Sequence, residues 1–319
     1  MCAKTNRGGR DNDQDRDFPT NLVKTVFKGH LPGILSWLLL STMASLPFSA
    51  WSAPPSAEQA AKLYLWPRRN KIYEPLSRRI GPPRGFHRIP APRGTYSYWL
   101  RHLPLLPKAS PVRSFDGRVI VAATNPHLAA VVDMDVGKRN LQQCWDSIVR
   151  LRAEYLWATG QKNRIAFPYG GGIGRFSWPK WAAGFRPRRV TKRRYRLKRV
   201  ARPSHGRKSF RRYLKHIFIW TGTIHSGKTK QVPLARIRAG DFFTWPGSPG
   251  HAVLVLDMAT DDRGRKVILI GQGFMPAQDF HVVASGQDTS PWFHLGSPPQ
   301  GLSDAFWGTF PWNSLRRFR

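Results

Sequence analysis

Two apolar runs near the C-terminal end constrain the fold most strongly. The first, "HAVLVLDM", starts at His251, and the second, "KVILIGQGF", contains Gln272. Asp262 and Gly264 lie between the two runs, and both residue types favour turns. Apolar, β-branched runs bounded by turn residues indicate buried strands. We therefore predict an antiparallel hairpin, with His251 at the start of its first strand and Gln272 at the end of its second.

A helix is predicted upstream of this hairpin, in "LQQCWDSIVRLRAEYLWATG". Its apolar residues recur at spacings of three and four, which places them on one face of a helix. Asn140 is a suitable N-terminal cap and Gly160 a suitable end. Cys144 therefore lies in or near the first turn, on the inward face. The residues of this apolar face are Leu141, Cys144, Ile148, Leu151 and Tyr155.

The rest of the chain supplies further strands and a second helix. The runs "RVIVAAT", "HLAAVVDMDVG" and the end of "VPLARIRAGDFFTW" are predicted to be strands. "SFRRYLKHIFIWTGT" is predicted to be a helix, and the Gly-rich "AFPYGGGIGRFSWPKWAAGF" a loop that could line a groove. This order of elements, ending in antiparallel strands, is typical of an α+β fold. The second helix would bury Phe210, Leu214, Ile217 and Phe218.

The N-terminal region has the pattern of an export signal. From Leu31 the chain is apolar and then rich in small residues and prolines, with Lys24 and Lys28 upstream. We predict a signal peptide or an uncleaved membrane anchor over residues 1–53. The protein is therefore expected to be exported to the periplasm or the cell envelope, and anchored there if the segment stays uncleaved.

The residues after this segment divide into two parts. Residues 54–93 are rich in Pro and Arg and have no sustained apolar period, so we predict a linker or an irregular wrapping segment. One α+β domain is predicted over residues 94–319. The chain contains only Cys2 and Cys144. Because Cys2 would leave with a cleaved signal, no internal disulfide is expected.

The chain is strongly basic, with a formal net charge of +34 at pH 7. Residues 186–215, a basic insert in the domain, hold 15 Lys and Arg and no Asp or Glu. A field of this sign attracts anionic partners. For an exported protein we expect an anionic envelope polymer or peptidoglycan. Nucleic acid is the alternative, although the insert offers few aromatics for base stacking, among them Tyr195 and Phe210. A membrane is a partner only if the N-terminal segment is uncleaved.

Cys144, His251 and Gln272 are the residues that could carry chemistry. A cysteine nucleophile needs a lowered pKa, a base, and a group that orients the base. The start of a helix favours a thiolate, so the pKa of Cys144 is expected to be lowered. His251 can act as the base, and Gln272 on the paired strand can hydrogen-bond its ring. A core cysteine and a histidine at a turn would give the same pattern, so a purely structural role is the alternative.

Neither a metal nor another cofactor is expected. Asp133 and Asp135 in "VVDMDVG" could ligate a metal, but no nearby His or Glu cluster accompanies them. We predict that the two carboxylates instead hydrogen-bond the loop that caps the helix.

Four strings, "LQQCWDSIV", "AGDFFTW", "SPGHAVLVLDM" and "ILIGQGF", are similar to segments of the CHAP and NlpC/P60 cysteine peptidases. The resemblance implies a papain-like core, in which a helix packs on an antiparallel sheet, and cleavage of amide bonds in cell-wall peptides. It assigns Cys144 as the nucleophile, His251 as the base and Gln272 as the third polar residue. The sequence departs from that pattern in its basic insert and in having Gln where His, Asn or Glu is usual.

A closer resemblance, over roughly Tyr96 to Phe310, is to the bacterial family named domain of unknown function 4846. It rests on strings such as "WLRHLPL", "RLRAEYL", "GSPGHAVLVLDMA" and "FMPAQDFHV". That name implies no activity. Three functions therefore stay open: a cysteine amidase or endopeptidase, a non-catalytic envelope-binding module of the same fold, and a nucleic-acid-binding protein. For the first, substrate contacts are predicted at Trp145, Ser248, Gln278 and Asp279.

Overall fold

The computed structural model describes residues 53–285 and 290–319. These residues belong to one unit of the chain, Leu46–Arg319. The predicted signal or anchor, apart from its last residue, lies outside the described ranges. No helix within those ranges is both long and apolar enough to cross a membrane.

The described residues form helices and strands that are interspersed along the chain. The helices are α1 (Ala57–Leu63), α2 (Leu76–Arg79), α3 (Tyr96–Arg101), α4 (Cys144–Ala158), α5 (Trp178–Ala182) and α6 (Arg207–Trp220). The first strands are β1 (His87–Arg88), β2 (Val112–Arg113), β3 (Val119–Val121), β4 (Leu128–Val131), β5 (Ala166–Tyr169), β6 (Gly174–Ser177), β7 (Phe185–Arg189) and β8 (Tyr195–Arg199). The later strands are β9 (Lys230–Gln231), β10 (Phe242–Trp245), β11 (His251–Thr260), β12 (Lys266–Gln272), β13 (His281–Val283), β14 (Phe293–His294), β15 (Leu302–Asp304), β16 (Gly308–Phe310) and β17 (Leu315–Arg317). Short 3-10 helices lie at Lys162–Arg164, Thr223–Lys228, Leu234–Arg236 and Trp312–Ser314.

One antiparallel sheet organises the fold, with strand order β4-β13-β12-β11-β10-β17-β9. β1 also pairs with β11, and β14 with β12. The predicted hairpin is confirmed, because β11 and β12 pair antiparallel between Leu254 opposite Gly271 and Thr260 opposite Lys266. Helices and an antiparallel sheet together confirm the α+β class.

β11 is buried along nearly its whole length. Leu254 and Leu256 pack with α4 on one face of the sheet, in the larger apolar core. Val253 and Val255 belong to a second core on the other face, together with residues of β10 and β12. Burial on both faces explains why the strand has a continuous apolar run and not an alternating one.

Helix α4 begins later than predicted, at Cys144. Gln143 is the cap, and the Asp146 carboxylate accepts its backbone N–H at 3.1 Å. Asn140 is not the cap, because its side-chain oxygen accepts the backbone N–H of Ala277 at 2.8 Å. Cys144 is therefore the first residue of the helix. Its backbone N–H is one of the first N–H groups of the helix, which have no acceptor within the helix.

The prediction that the Gly-rich segment "AFPYGGGIGRFSWPKWAAGF" forms a loop is wrong. Its residues form the hairpin β5–β6, whose register places Phe167 opposite Phe176, followed by α5. The turn of this hairpin contains Gly171 and Gly172, which both have positive φ. Glycine supplies that backbone conformation without steric cost, so the same residues that suggested a loop close a tight hairpin.

The Pro/Arg-rich residues 54–93 pack against the domain. They contribute α1, α2 and β1, and Trp66 and Leu76 are buried in the larger core. The indole N–H of Trp66 donates to the Asp133 carbonyl at 2.6 Å. The segment therefore wraps the domain and does not act as a linker.

The basic insert, residues 186–215, is also ordered secondary structure. It forms most of the hairpin β7–β8 and continues into α6. The predicted second helix is confirmed, and its expected apolar face is buried.

A buried ion-pair network ties the wrapping segment to the sheet. Asp257 of β11 accepts the Nε–H of Arg88 and the Nε–H of Arg101, both at 2.8 Å. Asp257 and Arg101 are almost completely buried. A buried charge is tolerated only when it is paired, so the three side chains depend on one another.

Replacement Asp257→Ala should lower the free energy of unfolding by about 3–5 kcal/mol, because it leaves Arg101 buried without its counter-charge. Urea unfolding followed by circular dichroism measures the change. The control is Glu58→Ala, which breaks a solvent-exposed pair with Lys62 and should change stability little. Equal effects of the two substitutions would contradict the assignment.

Candidate functional site

A cleft of about 600 Å³ lies where the start of α4, the end of α6 and the start of β11 meet. Cys144 and His251 both line it. Apolar side chains form much of the wall, and three of them, Ile219, Ile224 and Met275, are more than half exposed. The further lining residues include Trp145, Phe218, Trp220, Thr223, His225, Ser248, Phe274 and Trp307.

The sulfur of Cys144 is held by backbone amides at the start of α4 and β11. It accepts N–H groups from Trp145 and from Ala252, the residue that follows His251. The side chain is 8% exposed. Burial, together with a smaller effect of the Asp146 carboxylate, raises the pKa of the Cys144 thiol to about 12, although the backbone amides act in the opposite direction. The expected lowered pKa is therefore wrong, because burial outweighs the helix start.

His251 is buried beside the cleft. Its ring packs against Phe274 and Trp307, with ring centroids at 4.6 and 5.1 Å, and its Nε2 contacts the side-chain oxygen of Gln272. Burial lowers the pKa of His251 to about 4, although the Gln272 contact opposes that shift. His251 is consequently neutral at pH 7, and Gln272 lies where the sequence predicts the orienting group.

A second histidine sets the positions of the protons in this network. The Nδ1 of His281 lies 3.1 Å from the Asp279 carbonyl oxygen, which can only accept, so this nitrogen carries the proton. The Nε2 of His281 then accepts from the amide nitrogen of Gln272 at 3.5 Å. The oxygen of Gln272 is thereby turned toward His251 and accepts its Nε2–H. This arrangement leaves Nδ1 of His251 unprotonated, which is the form that a base requires.

A buried carboxylate completes the surroundings of His251. One oxygen of Asp304, Oδ2, lies 4.0 Å from Nε2 of His251 and has no hydrogen-bond partner among the described residues. The other oxygen accepts the backbone N–H of Phe306 at 2.9 Å. Burial raises the pKa of Asp304 to about 6. At neutral pH the carboxylate is mostly ionised and would favour a positive charge on His251.

Sequence reasoning missed His281 and Asp304. His281 lies in "DFHVV" and Asp304 in "LSDAF", and neither string has the pattern of a catalytic motif. His281 reaches the site through its register opposite Gln272 in the β12–β13 pair. That pairing could be anticipated only from the sheet order.

The four predicted substrate-contact residues divide into two pairs. Trp145 and Ser248 line the cleft, although Trp145 is 2% exposed and packs mainly against Phe242 and Phe318. The other two, Gln278 and Asp279, are not among the lining residues, so the prediction that they contact substrate in this cleft is wrong.

Gln278 and Asp279 lie beside β2 and away from the cleft lining. Gln278 forms a bridge with Ser114, and the Asp279 carboxylate accepts from Arg69 at 2.8 Å and from the backbone N–H of Arg113 at 3.0 Å. The chain turns after β12 and carries both residues to this edge. Their role is to fix the wrapping segment and β2 to the sheet.

Asp133 and Asp135 also have structural roles. Asp133 accepts the backbone N–H groups of Arg69 and Asn70 at 2.8 and 3.0 Å. Asp135 contacts Arg150 of α4 and Arg211 of α6. Within the described ranges, no group of three or more His, Cys, Asp or Glu could hold a metal ion.

The fold and the site define the class of the protein: an α+β protein with a cysteine and a histidine at one cleft. The family described as Domain of unknown function (4846) matches residues 76–317, and the chain belongs to that family. No curated protein and no solved structure matches the chain. The likeness to the CHAP and NlpC/P60 peptidases stays a prediction, and the function has to be argued from the site itself.

Alkylation of Cys144 by iodoacetamide should be slow in the folded protein at neutral pH. In a Cys2→Ser variant, Cys144 is the only thiol of the chain. A pKa of about 12 reduces its thiolate fraction on the order of 10³-fold relative to an exposed cysteine. The rate, followed by mass spectrometry, should rise throughout the alkaline range.

The same variant unfolded in urea should react rapidly, which controls for the reagent. Rapid alkylation of the folded protein, with a midpoint near neutral pH, would show a resting thiolate and contradict the expected pKa.

Proposed function

We propose that the cleft is the active site of a cysteine hydrolase that cleaves amide bonds. The observation that carries the proposal is the convergence of Cys144 and His251. Cys144 is the first residue of a helix, and its sulfur accepts the N–H of the residue next to His251. The order of cysteine helix, histidine strand and polar strand is also that of papain-like peptidases such as the NlpC/P60 and CHAP families, which is why we favour a papain-like core.

The reaction would start from neutral partners. As the Cys144 sulfur attacks the amide carbon, Nδ1 of His251 takes the thiol proton, and the imidazolium then gives it to the leaving amine. Water, deprotonated by the same nitrogen, would then attack the resulting thioester. The C–S bond breaks, the acid is released, and the Cys144 sulfur takes the proton back from the imidazolium. With a thiol pKa of about 12 and a histidine pKa of about 4, proton transfer has to accompany attack. Gln272 and Asp304 would stabilise the imidazolium in this step.

The negative charge on the substrate oxygen needs hydrogen-bond donors, and the start of α4 supplies them. The backbone bond that begins the helix runs from the Ser147 N–H to the Gln143 carbonyl at 3.0 Å. The N–H groups of Cys144 and Trp145 precede it and have no helical acceptor. In the resting state both donate to the Cys144 sulfur, and as negative charge passes from the sulfur to the substrate oxygen they would turn to stabilise the oxyanion beside it.

We propose a peptide of the bacterial cell wall as the substrate. The exposed apolar side chains of Ile219, Ile224 and Met275 around the cleft favour a substrate with an apolar group near the scissile bond. The export pattern of the N-terminal residues and the resemblance to cell-wall peptidases support an envelope substrate.

Hydrolysis of peptidoglycan fragments should depend on the three residues to different degrees. Cys144→Ala and His251→Ala should each lower kcat/KM by about 10³-fold or more, because each removes a reacting group. Gln272→Ala should cost about 10²-fold, since it only orients the base. Release of new amino groups, measured by chromatography, is the assay. Cys2→Ser is the control and should leave the rate unchanged.

The pH profile of this assay tests the role of His251. The base has to be neutral and Asp304 ionised, so kcat/KM should be highest at neutral pH, decrease as Asp304 is protonated around pH 6, and be lost as the pH falls through about 4. Undiminished hydrolysis by Cys144→Ala would exclude the proposal.

A second candidate is a non-catalytic module that binds an anionic envelope polymer. The buried, protonated thiol favours it, and so does the charge of the β7–β8 hairpin. Arg186 lies opposite Lys198 and Arg188 opposite Arg196, so four cations share one face of the hairpin. None of the four has an ion pair within the described part of the chain. Like charges directly opposite repel each other, and a bound polyanion would relieve that repulsion.

Replacement of Arg188, Arg196 and Lys198 by Ser should weaken binding to a phosphate-bearing envelope polymer by at least about tenfold at moderate salt. Fluorescence anisotropy with labelled polymer measures the affinity. The matched control replaces Lys71, Lys108 and Lys138, which are exposed elsewhere, by Ser. An equal loss in the control would show that only net charge matters, and tighter binding to duplex DNA would favour the nucleic-acid alternative.

A further inference from the structure

A second concavity lies between α3, the middle of α4 and the loop before β10. Its volume is about 360 Å³, and it shares no lining residue with the cleft of Cys144. Four arginines and one carboxylate line it: Arg152, Arg164, Arg238, Arg317 and Asp241. We call it the arginine pocket.

The carboxylate of the arginine pocket is already used. Asp241 accepts Nη2–H of Arg317 at 2.7 Å and the backbone N–H of Arg238 at 2.9 Å. The guanidinium groups of Arg152, Arg164 and Arg238 form no ion pair with a carboxylate of the described residues. The pocket therefore has three guanidinium groups that form no ion pair with the described part of the chain.

Arg152 is the central cation of the pocket, and its guanidinium packs against two tyrosine rings. Its guanidinium lies 4.9 Å from the ring centre of Tyr96 and 5.5 Å from that of Tyr155. Burial lowers the pKa of Arg152, the two tyrosines oppose that shift, and the charges of Arg164 and Arg238 lower it further. A partly buried cation beside two others is unfavourable, and an anion placed among them would remove that cost.

Tyr96, which also lines the pocket, has a buried hydroxyl. Among the described residues, the buried Tyr96 hydroxyl has no hydrogen-bond partner, whereas that of Tyr155 donates to the Gly94 carbonyl at 2.7 Å. Gly240 allows the Tyr96 ring to pack close to the backbone, because a Cβ at position 240 would lie 2.5 Å from it. An unpaired buried hydroxyl costs free energy, and an acceptor on a ligand would remove that cost.

We propose that the arginine pocket binds the phosphate group of a small phosphate monoester. Guanidinium groups match phosphate oxygens in geometry and charge, and the Tyr96 hydroxyl supplies a neutral donor beside them. A pocket of about 360 Å³ holds more than the phosphate alone, and Pro90, Pro92 and Phe318 give the remainder of the ligand an apolar wall. The site does not depend on the activity proposed for Cys144.

Titration calorimetry and thermal unfolding of the full chain, with glycerol 3-phosphate and inorganic phosphate as probes, test this site. Both probes should bind saturably and raise Tm relative to chloride at equal ionic strength. Tyr96→Phe and Arg164→Gln should each weaken binding by about tenfold, and Arg152→Gln by more. Arg164 is exposed, so its replacement tests the site even if Arg152→Gln fails to fold.

The control is the variant in which Lys71, Lys108 and Lys138 are replaced by Ser; it loses the same kind of charge outside the pocket and should bind glycerol 3-phosphate like the unmodified chain. The site is refuted if the unmodified chain shows no saturable binding, if Tyr96→Phe and Arg164→Gln both bind with unchanged affinity, or if only a phosphate polymer binds.

Discussion

Burial of β11 on both faces is the constraint on which the rest of the structure depends. α4 packs on one face, and the second core, with β10 and β12, covers the other. Because α4 packs against this strand, the first residue of the helix meets the first residues of the strand, which brings Cys144 to the amide of Ala252. The candidate site therefore follows from the packing of the core, and loop placement adds only the outer walls of the cleft.

Charge is the second organising factor. The chain has 18 acidic and 52 basic residues, and several of its buried acids hold arginines. Asp257 pairs with Arg88 and Arg101, and Asp241 with Arg317. Among the described residues, few carboxylates are left for the surface. The uncompensated cations of the β7–β8 hairpin and of the arginine pocket are the result.

The hairpin, the two main helices and the Cys144–His251–Gln272 grouping could be predicted because they follow from local periodicity and strand order. Residues 54–93 and the β5–β6 hairpin could not, since Pro, Arg and Gly give no period and their packing depends on distant partners. His281 and Asp304 reach His251 through strand pairing. The pKa of Cys144 was predicted in the wrong direction, because burial by the surrounding chain is invisible in the helix start alone.

The network around His251 ends at a backbone atom. The position of the His251 proton depends on Gln272, then on His281, and finally on the peptide carbonyl of Asp279. The side chain of Asp279 instead contacts Arg69. Every amino acid has this carbonyl. During evolution position 279 could therefore change its side chain without altering the tautomer of His251, whereas positions 272 and 281 could not. The role of position 279 in this network would therefore not be visible from which amino acids occur there in the family.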